Sequence, residues 1–333
     1  MNPYANYARV VIGFCLFLAG SGCASKGQGQ NQAATQTKSP AQKPQEFASP
    51  QAACDSLVEA LRADDAGQLK LILGSGADDI LSSGDAAADR ADVTRFLALY
   101  DAKHSIEPGQ DDVSTLVIGP DDWPFPVPIV KSDGGYVFDT DTGREEILNR
   151  RIGRNELDAE QVCLAIADAQ REYVRLNPTG TTLPEYARKC VSDPGTKNGL
   201  YWPTAEGEPE SPLGPLVASA TAEGYRATGG GAGGMRPYHG YEYRLLTSQG
   251  PHADGGAFDY VVDGRLIGGF GVVAYPAQYG NSGIMTFITN HEGIVYQRDL
   301  GPGTAQTAAG MTQFDPGPGW SKTTDADKPG QGE

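Results

Sequence analysis

The chain has 333 residues, enough for two folded domains of ordinary size together with unstructured tails. Its formal net charge of −16 would repel phosphate backbones and anionic lipid surfaces. Composition and charge therefore favour an acidic protein with two folded units and argue against a nucleic acid partner.

The N-terminus has the pattern of an export signal. Arg9 is the one charged side chain before an apolar stretch from Val10 to Ala19, and small residues then lead to Cys23. The apolar stretch is shorter than the ~20 residues that a membrane-spanning helix needs. The pattern predicts a cleaved signal peptide over residues 1–22 and an exported protein.

The residues before Cys23 resemble the box at which bacterial lipoproteins are cleaved and lipidated, although Gly20 stands where leucine is usual. The resemblance implies a lipid anchor on Cys23, and Ala24 after it implies the periplasmic face of the outer membrane. Ordinary cleavage near the same place is the alternative. It would leave a soluble periplasmic or extracellular protein.

The next segments predict a tether and then a first module. Residues 23–48 are polar with no apolar period, which is typical of a disordered tether. Over residues 49–143 we predict three helices followed by an antiparallel sheet. The first helix starts at Ser49-Pro50 and the second stops at Gly74. The third helix follows Asp89, and the strands are 113–118, 127–130 and 136–138. This α+β pattern resembles the nuclear-transport-factor-two-like fold.

A long helix and a second sheet are predicted over residues 144–320. Helical spacing runs from Thr142 to about Leu176, with a break expected near Gly153, and joins the two modules. Glycine-separated β-like runs follow at 241–246, 258–262, 266–275, 284–289 and 294–297. The fold class is therefore α+β. Residues 321–333 are predicted to be a disordered tail.

Three cysteines remain after the signal and the lipidation position: Cys54, Cys163 and Cys190. In an oxidising compartment disulfides persist, and Cys163 and Cys190 lie in one module, so we predict that these two are bridged. Cys54 lies on the apolar face of a helix and is expected to be free. Three unpaired buried thiols are the alternative.

Several distinctive segments resemble a bacterial secreted family known as domain of unknown function 2950. They are WPFP (123–126), RRIGRNE (150–156), GLYWP (199–203), SPLGP (211–215) and AYPAQYGNSGIMTF (274–287). The resemblance covers about residues 47–320 and implies no activity. The second half of the chain has a weaker resemblance to the globular heads of type IV pseudopilins. This resemblance lies in the order of a helix followed by GYEYRLL, GGFGVVAYP and TFITNHEGIVY. The long apolar helix by which pilins polymerise is missing from this sequence.

No motif specifies a reaction or a cofactor. The four histidines are too scattered for a zinc site, and Asp139, Asp141 and Gly143 depart from a calcium loop at its glycine and at position twelve. A cap on the next helix, built by Thr142 and Glu145, explains them better. We therefore expect no metal, no cofactor and no catalytic serine.

Two sets of residues are candidates for binding. Arg150 and Arg151 lie in a mixed-charge segment that fits a solvated helix with ion pairs, an interdomain clamp or an anion site. Aromatic residues lie in or beside loops, where they could stack on sugars or partner chains, or else plug the core between modules. They are Trp123, Tyr201, Trp202, Tyr238 and Tyr241.

The sequence favours a non-catalytic envelope lipoprotein, or secreted module, that binds another envelope protein or glycan through the groove between its modules. The alternative is an envelope hydrolase acting on glycan or peptide. Its acid and base would be two converging carboxylates among Asp121, Asp122, Asp139 and Glu156. The sequence does not decide whether the chain is an enzyme, and we favour the binder.

Overall fold

Four helices open the part of the chain that the computed structural model describes, which is residues 43–205, 207–225 and 237–323. Ser49 caps the first helix by accepting a hydrogen bond from the Ala52 N–H at 3.2 Å, and Pro50 takes its first position, as predicted. Asp85 caps the fourth, so that helix begins four residues before the predicted start. The helices are α1 (Pro50–Arg62), α2 (Ala66–Leu73), α3 (Ala77–Leu81) and α4 (Ala86–Ala102).

An antiparallel sheet follows the helices and packs against them. Its strands are β1 (His104–Pro108), β2 (Val113–Ile118), β3 (Trp123–Pro124), β4 (Ile129–Ser132) and β5 (Gly135–Phe138). The order is β1-β2-β4-β5, with β3 also paired to β2. Phe47 is buried and pairs with Tyr136 on β5, although the sequence placed it in a disordered tether, and residues 23–42 of that predicted tether lie outside the described part of the chain. Helices and sheet enclose one apolar core, which includes Leu57, Ile72 and Phe138.

The longest helix, α5 (Thr140–Leu176), joins the two halves of the fold. It is continuous through Gly153, where the sequence predicted a break. Asp139 caps it by accepting from the Thr142 N–H at 3.2 Å and the Thr142 hydroxyl at 2.7 Å. The cap therefore lies three residues before the predicted Thr142–Glu145 pair. A carboxylate there also suits the positive end of the helix dipole.

The second half is an antiparallel sheet packed on α5. The remaining elements are α6 (Gly214–Ala222), β6 (Tyr241–Leu246), β7 (Ser248–Gln249), β8 (Phe258–Asp259), β9 (Val261–Val262), β10 (Arg265–Leu266), β11 (Gly271–Pro276), β12 (Met285–Asn290), β13 (Tyr296–Asp299), α7 (Thr304–Gly310), β14 (Gln313–Phe314) and β15 (Ser321–Lys322). Five of these strands form one sheet in the order β15-β13-β12-β11-β6, and smaller strand pairings surround it. Ser321 and Lys322 pair with β13, whereas the sequence placed them in a disordered tail, and residues 324–333 of that predicted tail lie outside the described part of the chain.

Apolar side chains fill both faces of the large second sheet. One face packs with α5, where Cys163, Ile166 and Tyr173 meet Phe287. The other face packs with α7 through Val273, Ile288 and Ala308. The described residues belong to one compact unit, and the predicted α+β class is confirmed.

Candidate functional site

One stripe of α5 carries polar side chains to the contact between the two halves of the molecule. Arg151, Asn155 and Asp158 follow one another at helical neighbour spacing and span about 11 Å of the helix. We call this contact the seam: the stripe together with residues 79–85, 238–240 and 278–284. Arg151 and Asn155 are buried, whereas Asp158 is partly exposed.

Arg151 closes one end of the seam. Its guanidinium donates to the carbonyl oxygens of Asp79 at 2.9 Å and Ile80 at 2.7 Å, and to the side-chain oxygen of Asn281. Asn281 in turn donates to the Ser82 carbonyl at 2.9 Å. These oxygens lie at the C-terminal end of α3, where helix carbonyls lack intrahelical partners.

Burial lowers the pKa of Arg151, while Asp89 and Asp92 act in the opposite direction. Asp89 itself accepts from the Ser83 hydroxyl at 2.7 Å, and burial raises the pKa of its carboxyl group. Arginine remains charged in proteins, so a buried cation with three acceptors clamps the first half of the chain to the second. This agrees with the interdomain clamp that the mixed charges suggested.

Asp85 adds a second buried connection across the seam. Its carboxylate caps α4 through the N–H groups of Ala87 and Ala88, both at 3.1 Å. The same carboxylate accepts from the Tyr225 hydroxyl at 2.8 Å and from the Gly240 N–H at 3.0 Å. Asp85 is only 3% exposed, so its charge is balanced by four donors inside the protein.

Gly240 is required for this close packing. It has a φ of +73°, and a Cβ atom there would lie 2.5 Å from the Asn155 amide nitrogen. Asn155 uses that nitrogen to donate to the Ser282 carbonyl at 2.9 Å. A glycine therefore lets the turn approach α5 closely enough for Asp85 and Asn155 to hold it.

The other end of the seam is open. His239 has a φ of +51°, an uncommon backbone conformation for a non-glycine residue. Its Nδ1 lies 3.4 Å from Asp158 Oδ2, and its Nε2 lies 3.5 Å from Glu223 Oε2. The side chains of His239, Asp158 and Glu223 are 23%, 37% and 38% exposed. With Tyr225 and Tyr238, whose rings pack beside the imidazole, these residues form what we call the His239 cluster.

The number of protons on the His239 ring limits how many hydrogen bonds it can donate to Asp158 and Glu223. A neutral imidazole donates from one nitrogen only, so His239 itself supplies a donor to both carboxylates only when its ring is protonated. Glu223 Oε1 also accepts from the Ser219 hydroxyl at 3.1 Å and from the Tyr238 hydroxyl at 3.5 Å, whereas its Oε2 faces the imidazole. The two contacts of the imidazole are also longer than an ordinary hydrogen bond. The Tyr225 and Tyr238 phenols stay protonated, because burial raises the pKa of each above its usual value. Asp158 and Glu223 are left with acceptor capacity that faces solvent, where a donor group of a ligand could reach it.

The side chains of the His239 cluster are not arranged as a set of ligands for one metal ion. In the described part of the chain, no three His, Cys, Asp or Glu side chains are grouped so that they could hold one ion. The two carboxylates lie against different ring nitrogens, on opposite edges of the imidazole.

Two of the seven predicted binding residues lie together at the surface. The Arg150 guanidinium lies 5.3 Å from the centre of the Trp123 ring, and it donates to Glu146 at 2.6 Å. Trp123 is 37% exposed. Arg150 is one residue from Arg151, yet it points to the surface and Arg151 points into the seam.

The other aromatic residues proposed for binding pack mainly inside the protein. Trp202 is buried with its ring edge-on to Tyr173, and Tyr201 beside it is partly buried. Tyr241 is fully buried and donates to the Met285 carbonyl at 2.9 Å, and Tyr238 is buried behind His239. Of the two roles that the sequence left open, core packing is the one that these positions fit.

The predicted disulfide is not formed in the structure. Cys54, Cys163 and Cys190 are free and buried. Cys163 and Cys190 both pack in the apolar core beside α5, where a thiol acts as a small hydrophobic group. Burial raises the pKa of Cys54 and Cys190 to about 12 and also raises that of Cys163. Cys23 lies outside the described residues, so its lipidation stays a prediction.

The carboxylates suggested for hydrolysis have separate structural contacts. Asp122 pairs with Lys103 at 2.6 Å, and Asp139 caps α5. Glu156 accepts from the N–H groups of Ile284 at 3.0 Å and Met285 at 2.9 Å. It lies about 25 Å along α5 from Asp139, given a rise of about 1.5 Å per residue. Asp121 is exposed in the turn before β3. These contacts do not support the converging pair of carboxylates that acid–base catalysis would require.

A separate cavity of about 360 Å³ lies beside the end of α5, with Tyr173, Glu185, Arg188 and Lys189 in its wall. Its charged groups already have partners: Lys189 pairs with Asp193 at 2.6 Å, and Glu185 lies 3.6 Å from Arg265. Arg188 donates to the Gly264 carbonyl at 3.2 Å. The cavity therefore offers a ligand less free polar capacity than the His239 cluster does.

Sequence reasoning missed the partners of His239. Asp158 and Glu223 lie 81 and 16 residues before it, so no local spacing joins the three. The sequence does contain a pattern that indicates the α5 side of the site. Arg151, Asn155 and Asp158 have the spacing of one polar face of a helix.

Comparison with known proteins gives a family and no activity. A family model described as a protein of unknown function (DUF2950) matches residues 44–323. No curated protein and no solved structure matches the chain. Over the described ranges, no helix has the length and apolar character needed to cross a membrane.

Proposed function

The chain belongs to the DUF2950 family, and from this premise we propose that it is an exported, non-catalytic binding module of the bacterial envelope, anchored through Cys23. Its partner is another envelope component that contacts the His239 cluster. The observation that supports this proposal is the pairing of two half-exposed carboxylates with a histidine on a support that is otherwise buried and hydrogen-bonded.

Rigidity supports binding at this place. The buried side chains of Arg151, Asp85 and Asn155 hold the elements around the His239 cluster through hydrogen bonds. A site that is already ordered loses little side-chain and backbone entropy when a ligand binds. Half-exposed carboxylates supply hydrogen-bond acceptors to such a ligand, and the partly exposed Tyr225 ring supplies apolar contact area.

Site-specific photo-crosslinking in the native cells tests the proposal. A photoreactive phenylalanine derivative would replace Ala222, the exposed neighbour of Glu223, in one variant and Glu172, an exposed glutamate on α5, in a control. We expect a discrete envelope partner to be captured from position 222 and not from position 172. Equal capture from both positions, or none from either, would remove the support for this site.

A further inference from the structure

One edge of the first sheet is open over a whole strand. β1 is the last strand in its sheet and pairs only with β2 among the described residues. Four of its five residues are exposed, and Ile106 is partly buried. The opposite edge, β5, is covered by the pairing of Phe47 with Tyr136. The two edges of the sheet therefore differ, and β1 is the one available to another chain.

Hydrogen bonds at both ends of β1 show which of its backbone groups face outward. The Lys103 carbonyl accepts from the Gly119 N–H at 2.8 Å, and the Gly109 N–H donates to the Val113 carbonyl at 2.7 Å. The backbone N–H and C=O groups of the odd-numbered residues of β1 therefore point toward β2, because these groups alternate in direction from one residue to the next. His104 and Ile106 direct their N–H and C=O groups away from the sheet. Pro108, the next outward position, has no N–H to donate.

We propose that β1 pairs with β1 of a second copy of this chain, antiparallel and centred on Ser105. In this register His104 lies opposite Ile106 of the partner subunit, and the reverse holds by symmetry. All four outward groups of each strand are then used, in four hydrogen bonds between the two copies. Pro108 lies beyond the last bonded pair, so its missing N–H costs nothing.

Charge complementarity favours a second copy over an unrelated extended peptide. The same register places Lys103 opposite Glu107 of the partner subunit, twice by symmetry. Glu107 forms no ion pair with any other described residue, and Lys103 is half-exposed in its contact with Asp122. The strand therefore matches its own sequence in both hydrogen bonding and charge.

A cysteine at the centre of the pairing gives a direct test. Ser105 would face Ser105 of the partner subunit in a non-hydrogen-bonded pair, with Cα atoms about 4.5 Å apart, which a disulfide can span. In the full chain under mild oxidation, Ser105→Cys should form a covalent dimer joined through two copies of the residue 105 peptide. Ser219→Cys, at an exposed serine on α6, is the matched control and should not.

Charge reversal tests the register without a covalent bond. Lys103→Glu and Glu107→Lys should each weaken self-association by roughly fivefold in sedimentation experiments, and the double variant should restore it. Asp122→Asn controls for the loss of the Lys103 contact within one copy and should leave association unchanged. A chain that stays monomeric, with no crosslink between two residues 105, would overturn the proposal. So would a disulfide that joins the Ser105→Cys variant to a different protein.

Discussion

The two ends of the seam use similar residues in opposite ways. At the closed end, Arg151 is buried and its guanidinium donates to three acceptors, two of which are carbonyl oxygens at 2.9 and 2.7 Å. At the open end, His239 faces two carboxylates at 3.4 and 3.5 Å, and all three side chains are partly exposed. Satisfied, buried polar groups hold a structure together, whereas half-satisfied, exposed ones are free to bind. This contrast assigns stability to one end and recognition to the other.

The largest expected effect is at the closed end. Arg151→Ala should lower the free energy of unfolding by about 4 kcal/mol, because it removes a buried side chain and leaves two partly buried carbonyl groups and the Asn281 side chain without their donor. Arg150→Ala, one residue away, removes a surface contact and should cost less than about 1 kcal/mol. Denaturant unfolding of the two variants measures the difference. Similar losses would show that Arg151 is not a clamp.

Asp85→Ala should have the next largest effect. It removes a helix cap, worth about 1 kcal/mol, and leaves the Tyr225 hydroxyl and the Gly240 N–H without a buried acceptor, for a total of about 3 kcal/mol. Asp65→Ala is the control, since Asp65 caps α2 from an exposed position and should cost about 1 kcal/mol. Thermal and denaturant unfolding compare the two. Equal losses would mean that the contacts across the seam contribute nothing beyond the cap.

Burial of the thiols predicts a smaller effect that appears only at high pH. Burial raises the pKa of Cys190 to about 12 in the folded chain, against about 8.5 when unfolded. Between these values the folded state keeps a proton that the unfolded state has lost. Stability therefore falls as pH rises, by about 1.4 kcal/mol per pH unit for this thiol.

Unfolding measured from about pH 7 to about pH 11 checks this prediction. Cys190→Ala should show a shallower loss above about pH 9 and a profile parallel to the wild type below about pH 8. Identical slopes would contradict the assignment of a buried free thiol. A disulfide between Cys163 and Cys190 would also do so, because it would remove the titrating group.

Local patterns in the sequence predicted many of the elements. The cap at Ser49, the stop at Gly74 and the strands Val113–Ile118 and Tyr241–Leu246 follow from short-range capping, turn and alternation rules. The exposed strand β1 was missed, because His104–Pro108 includes a proline and has one apolar side chain between polar ones. The helix α3, five residues long, is too short to show a period.

The candidate site was predictable only in part. The mixed charges of residues 150–156 pointed to the seam, but the opposite roles of Arg150 and Arg151 depend on which side of α5 each one faces. His239 acquires its two carboxylates from α5 and from the end of α6, which only the folded chain brings together. The loop aromatics were ambiguous for the same reason, since a tryptophan beside glycine and proline can lie in a core or on a surface.

The most direct test of the account is the separation of stability from binding at the open end. Asp158→Asn with Glu223→Gln keeps the shapes of both side chains, removes their charges and replaces one acceptor oxygen of each with an amide donor. We predict that the free energy of unfolding changes by less than about 0.5 kcal/mol, as at ordinary surface sites, while capture of the envelope partner is lost. Asp168→Asn with Glu172→Gln, at exposed positions on α5, should leave both unchanged. Full capture by the Asp158 and Glu223 variant would contradict the claim that the His239 cluster is the binding site.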